Sequence, residues 1–186
     1  MANSTSITYR LKRKILTFTN KISRRLPKPD RKFTADMVYG ILASKSCLLT
    51  DISDQLHETA RKANTVKRLS NHLSGGVPAS MRSSYLHTVK CLAPSDPVVL
   101  IDDSDVIKPD GKQFEALGIV RDGSESTQTK SVYKKGYHVT EACALTASRH
   151  PVSIFSRIHS SAEKDFKSVN TITFDAVKQA VALLGK

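Results

Sequence analysis

The stretch from Val98 to Asp103, VVLIDD, decides the fold class of this chain. Four apolar residues, three of them β-branched, run directly into two acids. A short apolar run of this kind is typical of a strand buried at the centre of a sheet. Because helical spacings precede this stretch and strand-like segments follow it, the sequence predicts an α+β protein.

Two further strands and a helix are expected after VVLIDD. GYHVTEACALT (Gly136 to Thr146) and PVSIFSRIHS (Pro151 to Ser160) are the strand candidates, and the short link between them suits a hairpin. From Ser104 to Lys135 the chain is polar and contains glycine, which predicts a loop. A helix is expected over Asn170 to Leu184, where one face carries Thr173, Val177, Ala180, Val181 and Leu184.

Four helical segments are predicted before VVLIDD. Phe33, Thr34 and Val38 have the spacing of a hydrophobic staple, with Thr34 as the N-cap. The other segments begin near Thr50, Asn64 and Pro78, the last running to Leu92. We therefore expect a helical region over residues 1–93 and an α/β region over residues 94–186.

Composition limits the class of protein. Hydrophobic residues make up 39% and charged residues 25% of the chain, which is ordinary for a globular protein and argues against disorder. No segment has the length of a membrane span or the pattern of a signal peptide, so we expect a cytoplasmic protein without a membrane partner. Cys47, Cys91 and Cys143 lie far apart and are expected to be buried thiols in a reducing compartment.

The charge of the chain favours a polyanionic partner. Lys and Arg number 29 against 17 Asp and Glu, a net charge of +12. Up to Lys32 there are ten basic residues and a single acid, Asp30, which suits an arm lying along DNA phosphates. The candidate contacts in this arm are Arg10, Lys12, Arg13, Lys14, Arg24 and Arg25.

A second candidate DNA contact lies in the segments near Thr50 and Asn64, which could pair as a helix-turn-helix. The later segment would then present Lys67, Arg68 and Asn71 opposite its apolar stripe. The connection is longer than the usual three or four residues, so an ordinary helical bundle with a charged outer face is an equal alternative.

Asp102 and Asp103 are the candidate metal ligands. Carboxylates at the end of a buried strand are rigidly held, and hard oxygens suit Mg²⁺. Successive strand residues point to opposite faces, so one of the two is expected to face the site. The alternative is a strand-end turn, in which aspartate bonds to the backbone.

Other chemistries have weaker support in the sequence. Hydrolase motifs and a phosphate-binding loop are absent, and the six histidines show no metal-ligand spacing, so they are expected to be surface or packing residues. Acids elsewhere lie in positions that are poor for a ligand. They are Asp122, Glu125, Glu141, Glu163 and Asp165.

Three quoted stretches resemble the opening of the catalytic domain of bacterial insertion-sequence transposases of the DDE group. They are LIDDSDVIKPDGKQFEALGIVRDGS, KKGYHVTEACALT and HPVSIFSRIHSSAEKDFKS, and the resemblance covers about Val98 to Asn170. The resemblance implies an RNase H-like fold that opens with three antiparallel strands and a helix. VVLIDD is then expected to pair with GYHVTEACALT, which pairs in turn with PVSIFSRIHS, and the helix is expected to pack across one face of the sheet. The resemblance also implies that Asp103, followed by Ser104, is the first catalytic carboxylate and a Mg²⁺ ligand, with Asp102 as the neighbouring candidate.

That resemblance implies a transposase that cuts and joins DNA at transposon ends, close to the nucleoid. The second Asp and the Glu of the family have no counterpart in the sequence, so we expect a fragment that is inactive alone. Its partners would be double-stranded DNA and either the remaining transposase portion or a second copy. The alternatives are a non-enzymatic DNA-binding remnant or competitor that occupies transposon ends, and a basic regulator unrelated to transposition.

Overall fold

A computed structural model describes residues 4–185, with side chains from Tyr9 onward. The described residues form six helices and a four-stranded antiparallel sheet, which confirms the α+β class. In chain order the elements are α1 (Ser4–Ser23), α2 (Lys28–Ser44), α3 (Leu49–Leu56), α4 (Lys62–Ser74), α5 (Ala79–Leu92), β1 (Val99–Ile107), β2 (Gly118–Arg121), β3 (Tyr133–Leu145), β4 (Pro151–His159) and α6 (Val169–Leu184).

The chain divides into two compact units, a helical unit up to Thr88 and a sheet unit from Val89 onward. The division falls inside α5, whereas the sequence placed the boundary after residue 93.

The basic N-terminal segment is a helix. Ile15, Thr19 and Ile22 recur at i, i+4 and i+7 and are buried, so one face of α1 belongs to the core of the helical unit. The Ser23 hydroxyl donates to the Thr19 carbonyl oxygen at 2.6 Å inside this face. The many cations of α1 obscured this apolar spacing in the sequence.

Helix α2 begins six residues earlier than its predicted N-cap. Pro27 is the N-cap, and Pro29 lies in the first turn, where a missing amide hydrogen costs nothing. Thr34 was wrongly predicted as the cap. It is buried inside α2, and its hydroxyl donates to the Asp30 carbonyl oxygen at 2.8 Å.

The later helical segments, α3, α4 and α5, lie where the sequence predicted them. Ile52 of α3 and Leu69 of α4 are fully buried. At Gly40 of α2 an added Cβ would lie 2.4 Å from Cγ2 of Ile52, so the glycine permits α2 and α3 to pack closely.

The sheet is centred on β3. Strand β1 pairs with one edge of β3, from Val99 opposite Ala144 to Ile107 opposite Gly136. The other edge pairs with β2 and then with β4. The predicted pairing of VVLIDD with the second strand, and of that strand with the third, is confirmed.

Strand β1 differs from its prediction in three ways. It continues to Ile107, so Asp102 and Asp103 lie within the strand and not at its end. Its only strand partner among the described residues is β3, which makes it an edge strand and not a central one. Leu100, whose side chain lies on the face opposite Ala142 and Ala144, is 51% exposed. The predicted loop also contains a short strand, β2, which was not predicted from the sequence.

Alternate backbone groups of β1 point away from the sheet. The Leu145 amide donates to Val98 and the Lys108 amide donates to Lys135, so even-numbered residues of β1 bond to β3. Odd-numbered residues therefore direct their amides outward. The carboxylate of Asp102 accepts the outward amide of Asp103 at 3.0 Å.

Helix α6 packs on β1, β3 and β4, as predicted. Ser168 caps it by accepting the Thr171 amide at 3.2 Å. The predicted packing face was partly wrong, because Ile172, Ala176 and Ala180 form the buried stripe while Val181 is 65% exposed. The small Ala side chains let the helix approach Ala142 and Ala144 of β3, which are buried as well.

The three cysteines are more exposed than expected. Cys47 and Cys91 are exposed and Cys143 is half-buried, so the prediction of buried thiols was wrong.

Among the described helices, none combines the length and the apolar character that crossing a membrane requires.

Candidate functional site

The structure separates the two candidate carboxylates by face. Asp103 lies opposite Thr140 in the β1–β3 register, and Asp102 lies opposite Glu141. Because side chains alternate along a strand, Asp103 shares the face of Ala142 and Ala144, which α6 covers farther along β3. Asp102 lies on the other face, where its nearest cross-strand neighbour is another acid.

Asp103 belongs to a hydrogen-bonded row that crosses three strands. The Thr140 hydroxyl donates to Oδ1 of Asp103, and Oγ1 of Thr140 also lies 2.9 Å from Nε2 of His159. Thr140 and His159 are fully buried, whereas Asp103 is exposed. The row thus connects a buried imidazole on β4 to a carboxylate at the surface of β1.

This row fixes the tautomer of His159. A threonine hydroxyl has one proton, and Thr140 gives it to Asp103, so the proton in the second contact belongs to Nε2 of His159. Nδ1 of His159 is then an unprotonated acceptor, and no described residue donates to it. Burial, followed by the charge of His138, lowers the pKa of His159, in keeping with a neutral ring.

A second acid–histidine pair lies beside the first. Nδ1 of His138 is 2.7 Å from Oδ1 of Asp105, and these two residues are opposite each other in the register. The ring of His159 stacks between His138, at 5.6 Å between centroids, and Phe166, at 6.0 Å. The stacking explains why an imidazole can be fully buried here.

The arrangement fits a positioned carboxylate and does not fit a nucleophilic hydroxyl. Thr140 is buried and lies between Asp103 and His159. A nucleophilic hydroxyl must be accessible to substrate and must donate its proton to a general base, whereas the Thr140 hydroxyl donates to Asp103. One oxygen of Asp103 is held by Thr140, and no described residue donates to the other, Oδ2. A hard, oriented oxygen of this kind suits Mg²⁺.

Other acids of the sheet unit are engaged or lie elsewhere. Asp122 is buried and accepts from Ser124 and from Lys134, whose ammonium lies 3.0 Å from Oδ2. These hydrogen bonds, that of the Ser124 hydroxyl first, lower the pKa of Asp122 to about 2. Glu163 accepts the Ser160 amide at 3.1 Å. Within residues 4–185, no group of three His, Cys, Asp or Glu side chains is arranged to hold a metal ion.

The predicted DNA contacts of the basic segment lie on α1 and in the turn after it. Arg10, Lys14 and Lys21 recur at i, i+4 and i+11, a stripe of about 17 Å on the exposed side of the helix. Arg24 and Arg25 follow and are also exposed. Lys12 is outside this stripe, and its ammonium lies 4.7 Å from the centroid of the Tyr39 ring.

The predicted contacts of α4 divide into two kinds. Lys67 and Asn71 are exposed, as a DNA-binding face requires. Arg68 is engaged within the unit, because its guanidinium lies 2.7 Å from Asp36 and 3.1 Å from Glu58. The sequence did not show that two distant acids would pair with Arg68, and its contact with DNA stays a prediction.

Thr140, His138, His159 and Asp105 were missed as members of the site. The pattern that identifies them appears only when β1 and β3 are paired residue by residue. His138 and Thr140 then lie on one face of β3, opposite Asp105 and Asp103 of β1. The predicted pairing of the strands lacked a residue register, so it could not bring them together.

Comparisons with protein-family models, with curated proteins and with solved structures found no match for the chain. The resemblance to transposases therefore rests on the quoted residues alone.

Proposed function

We propose that the chain is a transposase of the DDE type, in which the helical unit binds double-stranded DNA and the sheet unit contributes Asp103 to metal-dependent phosphoryl transfer. The observation that carries this proposal is the environment of Asp103. It is an exposed carboxylate on a paired strand, oriented by a buried threonine and a buried histidine. Asp102, which bonds to its neighbour's amide on the other face, has no such support.

The residues present fit part of a Mg²⁺ site. Asp103 would provide one oxygen, and the described residues hold no cluster of three ligands that would complete the shell. Mg²⁺, when bound, supplies charge stabilisation to the attacking and leaving oxygens of a phosphodiester. The role of this chain's residues is to orient: His159 fixes Thr140, and Thr140 fixes Asp103. Carboxylates outside this cluster and the phosphate of DNA would supply the remaining ligands.

A non-enzymatic DNA-binding protein is the second candidate, such as a transposase remnant or a competitor that occupies transposon ends. The incomplete ligand set favours it, and so does the exposed basic stripe of α1, which needs no metal to contact phosphates. Both candidates share double-stranded DNA as the partner.

Manganese relaxation tests the role of Asp103. In the presence of duplex DNA, Mn²⁺ should broaden the amide resonances of β1 and β3 around Asp103 in the full chain. Asp103→Asn should abolish the broadening, because an amide is a poor ligand for a hard cation. Asp102→Asn is the matched control and should retain it. Broadening that persists in Asp103→Asn, or that never appears, would contradict the assignment of Asp103 as a ligand.

Strand cleavage and metal binding, measured together, separate the two candidates. With Mg²⁺ or Mn²⁺ the 186-residue chain should bind DNA without nicking it, because one aspartate cannot hold two divalent ions beside a phosphodiester. Nicking that Asp103→Ala abolishes would mean that this chain contains a complete site. Metal binding at Asp103 without nicking supports the transposase, and neither activity supports the simple DNA-binding protein.

A further inference from the structure

We infer that a cleft between α1 and α5 is the phosphate-binding site through which the helical unit holds the backbone of double-stranded DNA. The inference rests on the DNA binding proposed above and assigns it to a particular place. The cleft has a volume of about 700 Å³. Lys21, Arg24 and Arg25 line one side, and Ser83, Ser84, His87 and Thr88 line the other.

The cations of the cleft lack an acidic partner among the residues that the structure describes. Within residues 4–185 no carboxylate forms an ion pair with Lys21, Arg24 or Arg25, and α1 contains no acid. The contrast is with Lys32 and Arg68 of the same unit, both of which are held by Asp36 and Glu58. Three adjacent unpaired cations repel one another, and a bound phosphate would relieve that repulsion.

The opposite wall adds hydroxyl groups. Ser84 and Thr88 donate to the carbonyl oxygens of Ser80 and Ser84, at 2.8 and 3.0 Å, along the axis of α5. Ser83 is exposed, and its hydroxyl is engaged by no described residue, so it can donate to a phosphate oxygen. Guanidinium, ammonium and hydroxyl donors around one space are the groups that proteins use on DNA phosphates.

The wall formed by α1 is fixed in place. Ile15 and Ile22 are buried on the far side of the helix, and Ser23 is buried at its end. A neighbouring cavity of about 270 Å³ is lined by Phe18, Ile22, Val77, Met81, Arg82 and Tyr85. Five of these six residues carry apolar or aromatic side chains, so this cavity offers an anion fewer donors than the polar cleft, which three cations and three hydroxyl residues line.

Duplex DNA fits the surface better than an isolated phosphate does. The cleft is continuous with the stripe of Arg10 and Lys14, which extends about 17 Å along α1 from Lys21. Successive phosphates of one strand are about 3.4 Å apart along the DNA axis, so the stripe is long enough for about five of them. A linear array of this length matches a nucleic-acid backbone.

The test compares two double variants that lose the same charge. Lys21→Gln/Arg24→Gln changes the cleft, and Lys45→Gln/Arg61→Gln changes two exposed cations elsewhere in the helical unit. Each lost phosphate contact lowers the slope of log K against log salt by about 0.9, so the cleft variant should lose about 1.8. Between 50 and 200 mM salt its DNA affinity should therefore fall about 12-fold less than that of the natural chain.

A third variant keeps every cation. Ser83→Glu places a carboxylate in the cleft and should weaken DNA binding, and the far-ultraviolet circular dichroism of all variants should match that of the natural chain. An equal change of slope in the two double variants would overturn the cleft. So would a cleft variant that loses binding to anionic phosphatidylglycerol vesicles while its binding to DNA is unchanged. A natural chain that binds no DNA would overturn the proposed function itself.

Discussion

The helical unit and the sheet unit of this chain differ sharply in charge. Up to Thr88 there are 16 basic and five acidic residues, a net charge of +11, whereas from Val89 onward there are 13 and 12, a net charge of +1. The surplus of positive charge, on which the proposed DNA binding rests, therefore lies almost wholly in the helices. The sheet unit instead presents one oriented carboxylate, Asp103.

Within the helical unit the cations are of two kinds. Lys32 and Arg68 join α2 and α4 through Asp36 and Glu58, and these groups serve the fold. Those of the α1 stripe have no acidic partner among the described residues. The presence or absence of an acidic partner, and not the number of cations, therefore distinguishes the structural cluster from the proposed binding surface.

The largest expected effect is on DNA affinity. Arg10→Glu/Lys14→Glu should weaken DNA binding about a hundredfold at low salt, because two charge-assisted contacts of about 1.4 kcal/mol each are lost. Filter binding or fluorescence anisotropy would measure it. The matched reversal in the sheet unit, Lys130→Glu/Lys164→Glu, should have a much smaller effect. Equal losses would show that the difference between the units has no bearing on binding.

Arg68→Ala should act on stability and not on binding. Removing the guanidinium leaves Asp36 and Glu58 half-buried with fewer partners, so the free energy of unfolding should fall by about 2 kcal/mol. Urea denaturation would measure this. Lys67→Ala, at an exposed site one residue away, is the control and should leave stability nearly unchanged. A large loss of DNA affinity in Arg68→Ala with normal stability would instead support Arg68 as a DNA contact.

The same cluster should make stability depend on pH. Hydrogen bonds from Lys32 and then from Thr65 and Arg68 lower the pKa of Glu58 from 4.5 to about 2. The unfolded chain thus binds more protons between these values, and the stabilisation present above pH 4.5 is lost as the pH falls toward 2. One proton sets a ceiling of about 1.4 kcal/mol per pH unit. Thermal unfolding of Glu58→Gln should show a shallower pH dependence in this range, and an unchanged profile would contradict the assignment.

Two aspartates of the sheet unit should respond differently to the same change. Asp122→Asn should lower the melting temperature, because Asp122 is buried and holds Lys134 and the Ser124 amide. Asp103→Asn should lower it less, since the exposed amide oxygen can still accept from Thr140. Differential scanning calorimetry would compare them. A greater loss in Asp103→Asn would make Asp103 a structural residue.

The smallest effect is expected at Lys12. Its ammonium lies over the ring of Tyr39, a contact worth about 0.5 kcal/mol at an exposed site, so Lys12→Gln should lower stability by that amount. Lys14→Gln, two residues along the same helix, should leave stability unchanged and lower the salt dependence of DNA binding. A stability loss in Lys14→Gln, with a lower salt dependence of DNA binding in Lys12→Gln, would contradict both assignments.

Much of the fold could be predicted because it rests on local patterns. The apolar run of VVLIDD, the later strands and the helix after Ser168 are visible as spacing and composition. Helix α1 was missed because its buried residues are few and lie among cations. Strand β2 was missed because four residues in a polar stretch give a weak signal.

The site was less predictable, because it depends on register. The two aspartates were visible as a pair, but their division between faces follows from the pairing of β1 with β3. Arg68 and His159 depend on contacts with residues 10 or more positions away. Spacing along the chain carries no information on such contacts.

The edge of β1 has a consequence for self-association. An edge strand with unpaired outward amides and an exposed Leu100 can pair with a strand of another molecule. Asp102 opposes this, because its carboxylate occupies the Asp103 amide and places a negative charge where an incoming strand would align. Asp102, which the phosphoryl-transfer proposal leaves without a role, is thus placed to hinder aggregation, and its replacement by an apolar residue should promote pairing of the β1 edge with a second molecule.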